Sequence, residues 1–250
     1  MRIAAIISIA ALFIAGCTTA PPLPQIESAR GDRIGILVET GDNPTHTHIG
    51  TTVFNNFTRE YPYDWKLSTE VTRTIERVFG NAGFTAVDLR KEGLSYADVS
   101  DLIQPTGEKW QVATGKEETI RRLREQLKLK ALLVAKEASV LANIECSGGP
   151  CSERYVAGPG LYSRSFLGLS NYYAVAAYQW NVFVLDPVAD AAKVDPLWSM
   201  LRIPSAHLRE FQHPLDFRNL TEAEFAPVRE AVLMLTEKAS HAAVKSLNVR

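Results

Sequence analysis

The feature that most constrains the fold is an alternation of short apolar runs with amphipathic helical stretches in the first half of the chain. Arg33 to Glu39 is a compact apolar run typical of a buried strand, and Ser68 to Asn81 carries apolar residues at helical spacing. Phe84 to Leu89 predicts the next strand, Glu117 to Lys130 a second amphipathic helix, and Ala131 to Lys136 a further strand. Alternating strands and helices favour an α/β domain.

The second half of the chain predicts a long connection, a hairpin and a last helix. The pattern lapses into Gly, Ser and aromatic residues from Leu141 to Asn171, and Tyr172 to Leu185 then predicts one long apolar strand. Pro196 to Ile203 is expected to return as its partner in a β-hairpin. Thr221 to Glu224 fits a capping box before an amphipathic helix with apolar residues from Val228 to Leu247. Together these elements predict an α/β sandwich with a mixed sheet, a C-terminal β-hairpin and a final amphipathic helix.

Residues 1–16 have the pattern of a removable export signal. Arg2 supplies a positive charge, and Ile3 to Ile14 form an apolar core that is too short to span a bilayer. Ala15, Gly16 and Cys17 follow directly. This arrangement matches the bacterial lipobox, in which the cysteine thiol accepts a diacylglyceryl group. The chain is therefore similar to bacterial lipoproteins, and the resemblance implies cleavage before Cys17 and lipidation of its thiol.

The lipoprotein resemblance implies both an address and an anchor. Thr18 stands where an aspartate would favour inner-membrane retention under enterobacterial sorting rules, so the outer membrane is expected, with the domain facing the periplasm. Three acyl chains of the palmitate type bury far more methylene than the single chain that binds only marginally. Residues 17–30 include three prolines and predict an extended tether. Residues 31–250 are then expected to form a single periplasmic α/β domain.

The order of elements resembles the small α/β domain of envelope lipoproteins such as the curli-secretion CsgG family and penicillin-binding-protein activator lipoproteins, and the TolB amino-terminal domain. The residues that carry this resemblance are Arg33–Val38 as the first strand, and Trp180–Asp186 leading into Leu197–Ser199. A final amphipathic helix ends both. The resemblance runs from about Arg30 to the end of the chain, and it implies assembly and partner binding rather than catalysis.

Two cysteines remain once Cys17 is acylated. Cys146 and Cys151 frame the segment Cys-Ser-Gly-Gly-Pro-Cys, whose glycines and proline favour a bend. In the oxidising periplasm this pair predicts a local disulfide. A zinc site is less favoured because no nearby histidine completes the ligand set. A redox-active pair typically has two intervening residues, whereas four separate these cysteines.

Asp42, His46 and His48 are the best candidates for a metal or substrate site. In an extended segment, His46 and His48 would point to the same face, where both imidazoles could meet one metal and Asp42 could add an oxygen. The alternative is a polar loop whose histidines form local hydrogen bonds. Two ligands and a third at a distance do not define a site, so the second interpretation is preferred.

Charge and motif content argue against several classes of function. The chain has 28 acidic and 27 basic residues, so it lacks the basic surplus expected of a nucleic-acid-binding protein. It contains no Gly-x-Ser-x-Gly, no Ser-x-x-Lys and no phosphate-binding glycine motif. We therefore expect no cofactor and no catalytic residues. Partner binding or envelope assembly is favoured, and a metal binder or enzyme built on Asp42, His46 and His48 is the alternative.

The predicted long connection is rich in large apolar residues. Tyr155, Tyr162, Phe166 and Leu169 are set among glycines and serines there. Loops of this length are often functional. Two interpretations stay open: these side chains cover the core of the domain, or they form a contact site for an envelope protein or a second copy of the chain.

Overall fold

The computed structural model describes residues 20–144, 152–201 and 204–247, which form two five-stranded mixed sheets, two two-stranded ribbons and five α-helices. This confirms the predicted α/β sandwich. The helices are α1 (Leu67–Asn81), α2 (Tyr96–Val99), α3 (Glu117–Arg121), α4 (Leu197–Leu201) and α5 (Glu222–Ser246). The strands are β1 (Arg33–Glu39), β2 (Thr45–Ile49), β3 (Phe57–Glu60), β4 (Thr85–Asp88), β5 (Ile103–Thr106), β6 (Lys109–Val112), β7 (Leu129–Glu137), β8 (Val140–Ile144), β9 (Ser152–Val156), β10 (Gly160–Phe166), β11 (Leu169–Val175), β12 (Tyr178–Leu185), β13 (Val188–Asp190) and β14 (Ser205–His207).

The first sheet has the order β13-β12-β7-β1-β4, with β1 parallel to both of its neighbours and β12 antiparallel to β7 and β13. On β1, Ile34 and Ile36 belong to the main core with α1 and α5, whereas Leu37 packs on the other face with Ile120 and Leu123. Both faces of the sheet are therefore covered. This explains why β1 is a continuous apolar run rather than an alternating one.

Helices α1 and α5 pack against each other and confirm two sequence predictions. The apolar face of α1 is buried, and the capping box of α5 is formed: the Glu224 N–H donates to Thr221 Oγ1 at 3.3 Å, and the Thr221 N–H donates to the Glu224 carboxylate at 2.6 Å. The 25 residues of α5 extend about 37 Å at 1.5 Å per residue.

The second sheet has the order β14-β11-β10-β2-β3, and only its β2–β10 pair is parallel. Leu161 and Ala174 point to the main core, whereas Tyr162 and Tyr173 point to a smaller core beneath the β8–β9 ribbon. The prediction of a long loop from Leu141 to Asn171 is therefore wrong, because β8, β9, β10 and the start of β11 lie in it. Serine and arginine within these partly exposed strands hid the alternation that marks a strand.

The predicted C-terminal hairpin exists, but with a different partner strand. The apolar run from Tyr172 to Leu185 is divided after Val175, so that β11 and β12 lie in different sheets. β12 pairs with β13, and the described part of the predicted strand Pro196–Ile203 contains the helix α4 instead. The carboxylate of Asp195 accepts the backbone N–H of Ser199 at 3.1 Å, which favours a helix start at this point.

The segment predicted as a second helix is shorter than expected. α3 covers Glu117–Arg121, a π-helical turn continues over Arg122–Gln126, and β7 begins at Leu129. Ile120 and Leu123 are buried as predicted. Lys128, with a positive φ of 55°, makes the turn between helix and strand.

The chain before β1 forms no helix or extended strand over residues 20–32, but it packs against the domain. Pro21 is buried, Ile26 is only 4% exposed, and the Trp110 Nε1–H donates to the carbonyl of Pro22 at 3.2 Å. From residue 20 onwards the predicted tether is therefore attached to the domain surface. Among the described residues, no helix combines the length and the apolar character needed to cross a bilayer.

Candidate functional site

The two histidines of the predicted site lie next to each other on β2, on the face that looks into the protein. His46 is fully buried and His48 is 5% exposed. Strand β10 runs parallel to β2 and places Ser163 opposite His48. The Ser163 hydroxyl lies 2.6 Å from His46 Nε2 and 2.7 Å from His48 Nδ1. The prediction that both imidazoles share a face is confirmed, and their common partner is a serine.

Aromatic rings enclose this histidine pair. The Phe57 ring lies 5.0 Å from the His46 ring, and the Phe217 ring lies 4.9 Å from the His48 ring. Burial, and then the charge on a protonated His48, lower the pKa of His46 to about 3. Burial and the neighbouring Arg218 lower the pKa of His48 as well. Both imidazoles are therefore neutral at pH 7.

Hydrogen bonding in the pair is incomplete at one atom. Within the described residues, His46 Nδ1 makes no hydrogen bond of normal geometry. The nearby backbone of Phe217 nevertheless raises the pKa of His46 and so offsets part of its lowering by burial. Ser163 is fully buried, so its hydroxyl is not presented to a substrate in solution. A serine hydroxyl donates one hydrogen bond and accepts others, so it can join two neutral imidazoles. The arrangement is chemically a buried polar contact between two strands.

Asp42 does not join the histidines. Its Oδ1 accepts the backbone N–H of Ser68 at 3.0 Å, and its carbonyl accepts the N–H of Trp65 at 3.0 Å. Asp42 therefore binds the first turn of α1, where a helix leaves N–H groups without an intrahelical partner. No group of three or more metal-ligating side chains occurs in the described ranges. The geometry thus does not assemble the expected metal set of Asp42, His46 and His48.

One end of the second sheet carries several exposed apolar side chains, which we call the apolar tip. It consists of the ends of β10 and β11 with the turn between them, the 3₁₀ turn that follows β2, and one residue of the segment that leads to α5. Its members are Val53, Phe54, Phe166, Leu167, Leu169 and Leu215. Phe54 is 88% exposed, and Leu167 and Leu169 are each 76% exposed. Such a concentration of exposed apolar residues is uncommon away from contact sites.

Thr51 holds two parts of the apolar tip together. Its hydroxyl accepts the backbone N–H of Leu167 at 3.2 Å and donates to the carbonyl of Ser165 at 3.4 Å. A cleft of ≈ 370 Å³ lies beside this contact and reaches His48 and Leu215. The histidine pair therefore lies beneath the apolar tip, and its neutral rings add no charge to this end of the sheet.

The aromatic residues singled out from the sequence are divided between core and surface. Tyr162 is 1% exposed and belongs to the core beneath the β8–β9 ribbon, so the core-covering interpretation holds for this residue. Phe166 and Leu169 lie in the apolar tip. Tyr155 is 76% exposed, but it lies on β9, opposite Leu141.

Sequence reasoning missed Val53, Phe54 and Leu215. A usable signal for the first two was an apolar pair flanked by threonines and asparagines, which are turn residues. The remaining predicted positions, the lipidation site Cys17 and the disulfide pair Cys146 and Cys151, lie outside the described residues. No known protein family, characterised protein or solved structure matches this chain.

Proposed function

We propose that this chain is a lipid-anchored outer-membrane lipoprotein whose periplasmic domain binds a partner protein of the envelope through the apolar tip, without catalysis. The apolar tip carries the binding part of this proposal. Its side chains project from turns and strand ends, and their exposure means that they contribute little to the core. Apolar and aromatic side chains of this kind supply most of the binding energy in many protein interfaces.

The lipid anchor of the proposal comes from the sequence. The apolar stretch of residues 3–14 leads into Cys17, and the acylated cysteine would fix the chain start to the bilayer. α5 begins beside the histidine pair that lies beneath the apolar tip, where the Phe225 and His46 ring centroids are 6.4 Å apart, and ends near Leu23. Its length of about 37 Å separates the tip from the chain start. The tip would therefore face away from the anchoring bilayer, towards proteins of the periplasm.

The absence of catalysis is proposed from the surroundings of the candidate residues. Ser163 and His46 have no exposed surface, and Asp42 stabilises a helix start elsewhere. The predicted disulfide between Cys146 and Cys151 would close the connection between β8 and β9. It stays a prediction, as does the resemblance to the α/β domains of envelope assembly lipoproteins.

Site-specific crosslinking in intact envelopes tests the apolar tip. A photoreactive phenylalanine derivative placed at Phe54 or Leu167 should crosslink to one discrete partner protein, whereas the same group at Tyr155, equally exposed but on β9, should not. The double substitution Phe54→Ser with Leu167→Ser should weaken partner capture about tenfold or more, as expected for two interface hot spots. Thermal unfolding should be nearly unchanged because both side chains are exposed.

The control for this experiment is Tyr155→Ser, which should leave partner capture intact. Equal crosslinking from all three positions would contradict the proposal, because it would indicate nonspecific collisions. Crosslinks formed only between two copies of the chain would mean that the apolar tip serves self-association, and they would contradict the proposed partner protein.

The lipid anchor is tested separately with Cys17→Ser. Because the thiol is the acceptor of the diacylglyceryl group, this substitution should abolish acylation and either release the protein from membranes or leave the signal uncleaved. Membrane fractionation, with mass spectrometry of the amino-terminal peptide, measures both outcomes. A processed Cys17→Ser protein that still sediments with membranes would disprove the lipoprotein assignment.

A further inference from the structure

The start of the described chain brings the proposed anchor close to one surface of the domain. Residues from 20 onwards pack against the domain, with Ile26 in the main core and Pro22 bound to Trp110. Cys17 lies only three residues before Ala20. A chain spans at most about 3.6 Å per residue, so the acylated residue is within about 11 Å of the described domain. No free tether of the predicted length separates the domain from its anchor.

The surface nearest to the chain start is formed by two helices. Leu23, Pro196, Met200, Ala242 and Lys245 line a common cleft of ≈ 370 Å³ between the chain start, α4 and the end of α5. Met200 is 53% exposed. We name this surface, together with the exposed Lys238, which lines an adjoining cleft with Met200, the anchor face. It lies at the opposite end of α5 from the apolar tip.

We infer that the anchor face lies against the anionic lipid surface that holds Cys17, and that this contact fixes the orientation of the domain. The inference rests on the lipid anchor of the proposed function and adds an interaction surface to it. The occupant is a bilayer because the short chain between Cys17 and Ala20 leaves the domain no means of standing clear of it.

The side chains of the anchor face suit the boundary between water and lipid. Lys238 and Lys245 are exposed on the last turns of α5, where their ammonium groups could approach lipid phosphates while their methylene stems cover apolar surface. Met200 supplies exposed apolar surface for the headgroup region. Asp195, the acidic group of the cleft, is already engaged with the N–H of Ser199.

Two weak membrane contacts reinforce each other when they are joined. A lipid chain combined with a basic or apolar surface patch gives firmer and more oriented binding than either alone. The acyl group would attach the start of the chain to the bilayer. Contact between the anchor face and the lipid would then restrict rotation of the domain about this attachment. The apolar tip would then be presented to the periplasm about one α5 length from the bilayer.

Fluorescence quenching on the full acylated chain tests this orientation. The protein is reconstituted into phosphatidylcholine vesicles with or without phosphatidylglycerol, and a single bimane label is attached at Met200→Cys or, as the opposite end, at Phe54→Cys. Labelling is done without reductant, with unsubstituted protein as the blank. Nitroxide-bearing lipids should quench the label at residue 200 and not the label at residue 54, most strongly with phosphatidylglycerol present.

The lysines are tested in the Met200→Cys protein with Lys238→Gln and Lys245→Gln together. Each lysine near an anionic surface contributes about 1 kcal/mol. The double substitution should therefore lower the ratio of domains whose anchor face contacts the bilayer to domains whose anchor face points away from it roughly 30-fold, equivalent to about 2 kcal/mol. The matched control is Lys91→Gln. Lys91 is exposed, pairs with Asp88 and does not belong to the anchor face. It should leave the quenching unchanged.

The outcomes separate this inference from the anchor itself. Vesicle flotation and the mass of the amino-terminal peptide report the anchor, and quenching reports the orientation. A protein that floats with the vesicles but shows no quenching at residue 200 overturns the anchor face while the anchor stands. Quenching at residue 54 instead would place the apolar tip on the bilayer and also overturn the inference. Failure to acylate and float overturns both. A second label at Lys245→Cys guards against local damage at residue 200.

Discussion

The contact of His46 and His48 with Ser163 keeps two titratable rings inside an apolar environment. A charged imidazole would lose its hydration there, which is why burial is the leading cause of both lowered pKa values. Ser163 satisfies one nitrogen of each ring. This arrangement makes the folded state less stable in acid, because the unfolded chain binds protons at these histidines and the folded chain does not.

We expect His46→Gln to reduce the acid sensitivity of folding. His46 has a folded pKa of about 3 and an ordinary unfolded pKa near 6.5. Above pH 6.5 both states are neutral and the group has no pH-dependent effect. As the pH falls below 6.5 only the unfolded state gains a proton, so stability declines with falling pH. Between pH 7 and pH 5 this contribution is about 2 kcal/mol.

Urea unfolding of the parent and variant at pH 7 and pH 5 measures the effect. The fall in unfolding free energy should be about 2 kcal/mol smaller in His46→Gln than in the parent. His241→Gln, which changes an exposed histidine of α5, is the control and should keep the parent's pH dependence. An unaltered dependence in His46→Gln would mean that His46 titrates alike in both states.

At the scale of elements, the parallel pairing of β2 with β10 is what brings the histidines to Ser163. The pairing begins at Gly160, opposite Thr45, and continues to Arg164. Gly160 has a φ of +152°, and a Cβ there would lie 2.0 Å from the Thr45 carbonyl oxygen. The two backbones therefore approach closely only because residue 160 has no side chain.

Gly160→Ala should destabilise the protein by about 3 kcal/mol or more, because the rigid backbone of β2 must move to admit a methyl group. Gly168→Ala is the matched control. Gly168 also has a positive φ, of +85°, but no atom lies within 4 Å of its would-be Cβ, so about 1 kcal/mol of backbone strain is expected. Chemical denaturation of both variants measures the difference. Equal losses of unfolding free energy in the two variants would show that the β2 and β10 backbones leave room for a methyl group at residue 160.

At the scale of the whole molecule, the segment before β1 belongs to the domain. Ile26 is part of the main core and Leu23 packs against it. Ile26→Ala should therefore destabilise the domain by about 2 to 5 kcal/mol, the range for removing a buried isoleucine side chain. Gln25→Ala, at an exposed neighbouring position, should change stability by no more than about 0.5 kcal/mol.

Thermal and urea unfolding of the two variants decide between a packed segment and a free tether. A free tether would make both substitutions neutral. A loss confined to Ile26→Ala would support the short distance between anchor and domain on which the anchor face depends.

The amino-acid sequence by itself determined the elements whose signals are local. β1, α1 and the capped start of α5 were predicted because apolar periodicity and capping residues act within a few positions of each other. The shared face of His46 and His48 was predicted for the same reason, since side chains alternate along any extended strand. The end of the helical segment that begins with α3 was not predicted from the sequence, because the turn at Lys128 is imposed by the start of β7.

The tertiary structure alone decided which side chains meet across long separations. Ser163 lies 117 residues from His46, and nothing local indicates that β10 will pair with β2. The β8–β9 ribbon covers one face of the second sheet, and this coverage buries Tyr162 while Phe166, four residues later, stays exposed at the turn. Local sequence specifies which residues alternate; only the arrangement of neighbouring layers determines which of the alternating faces is shielded from water.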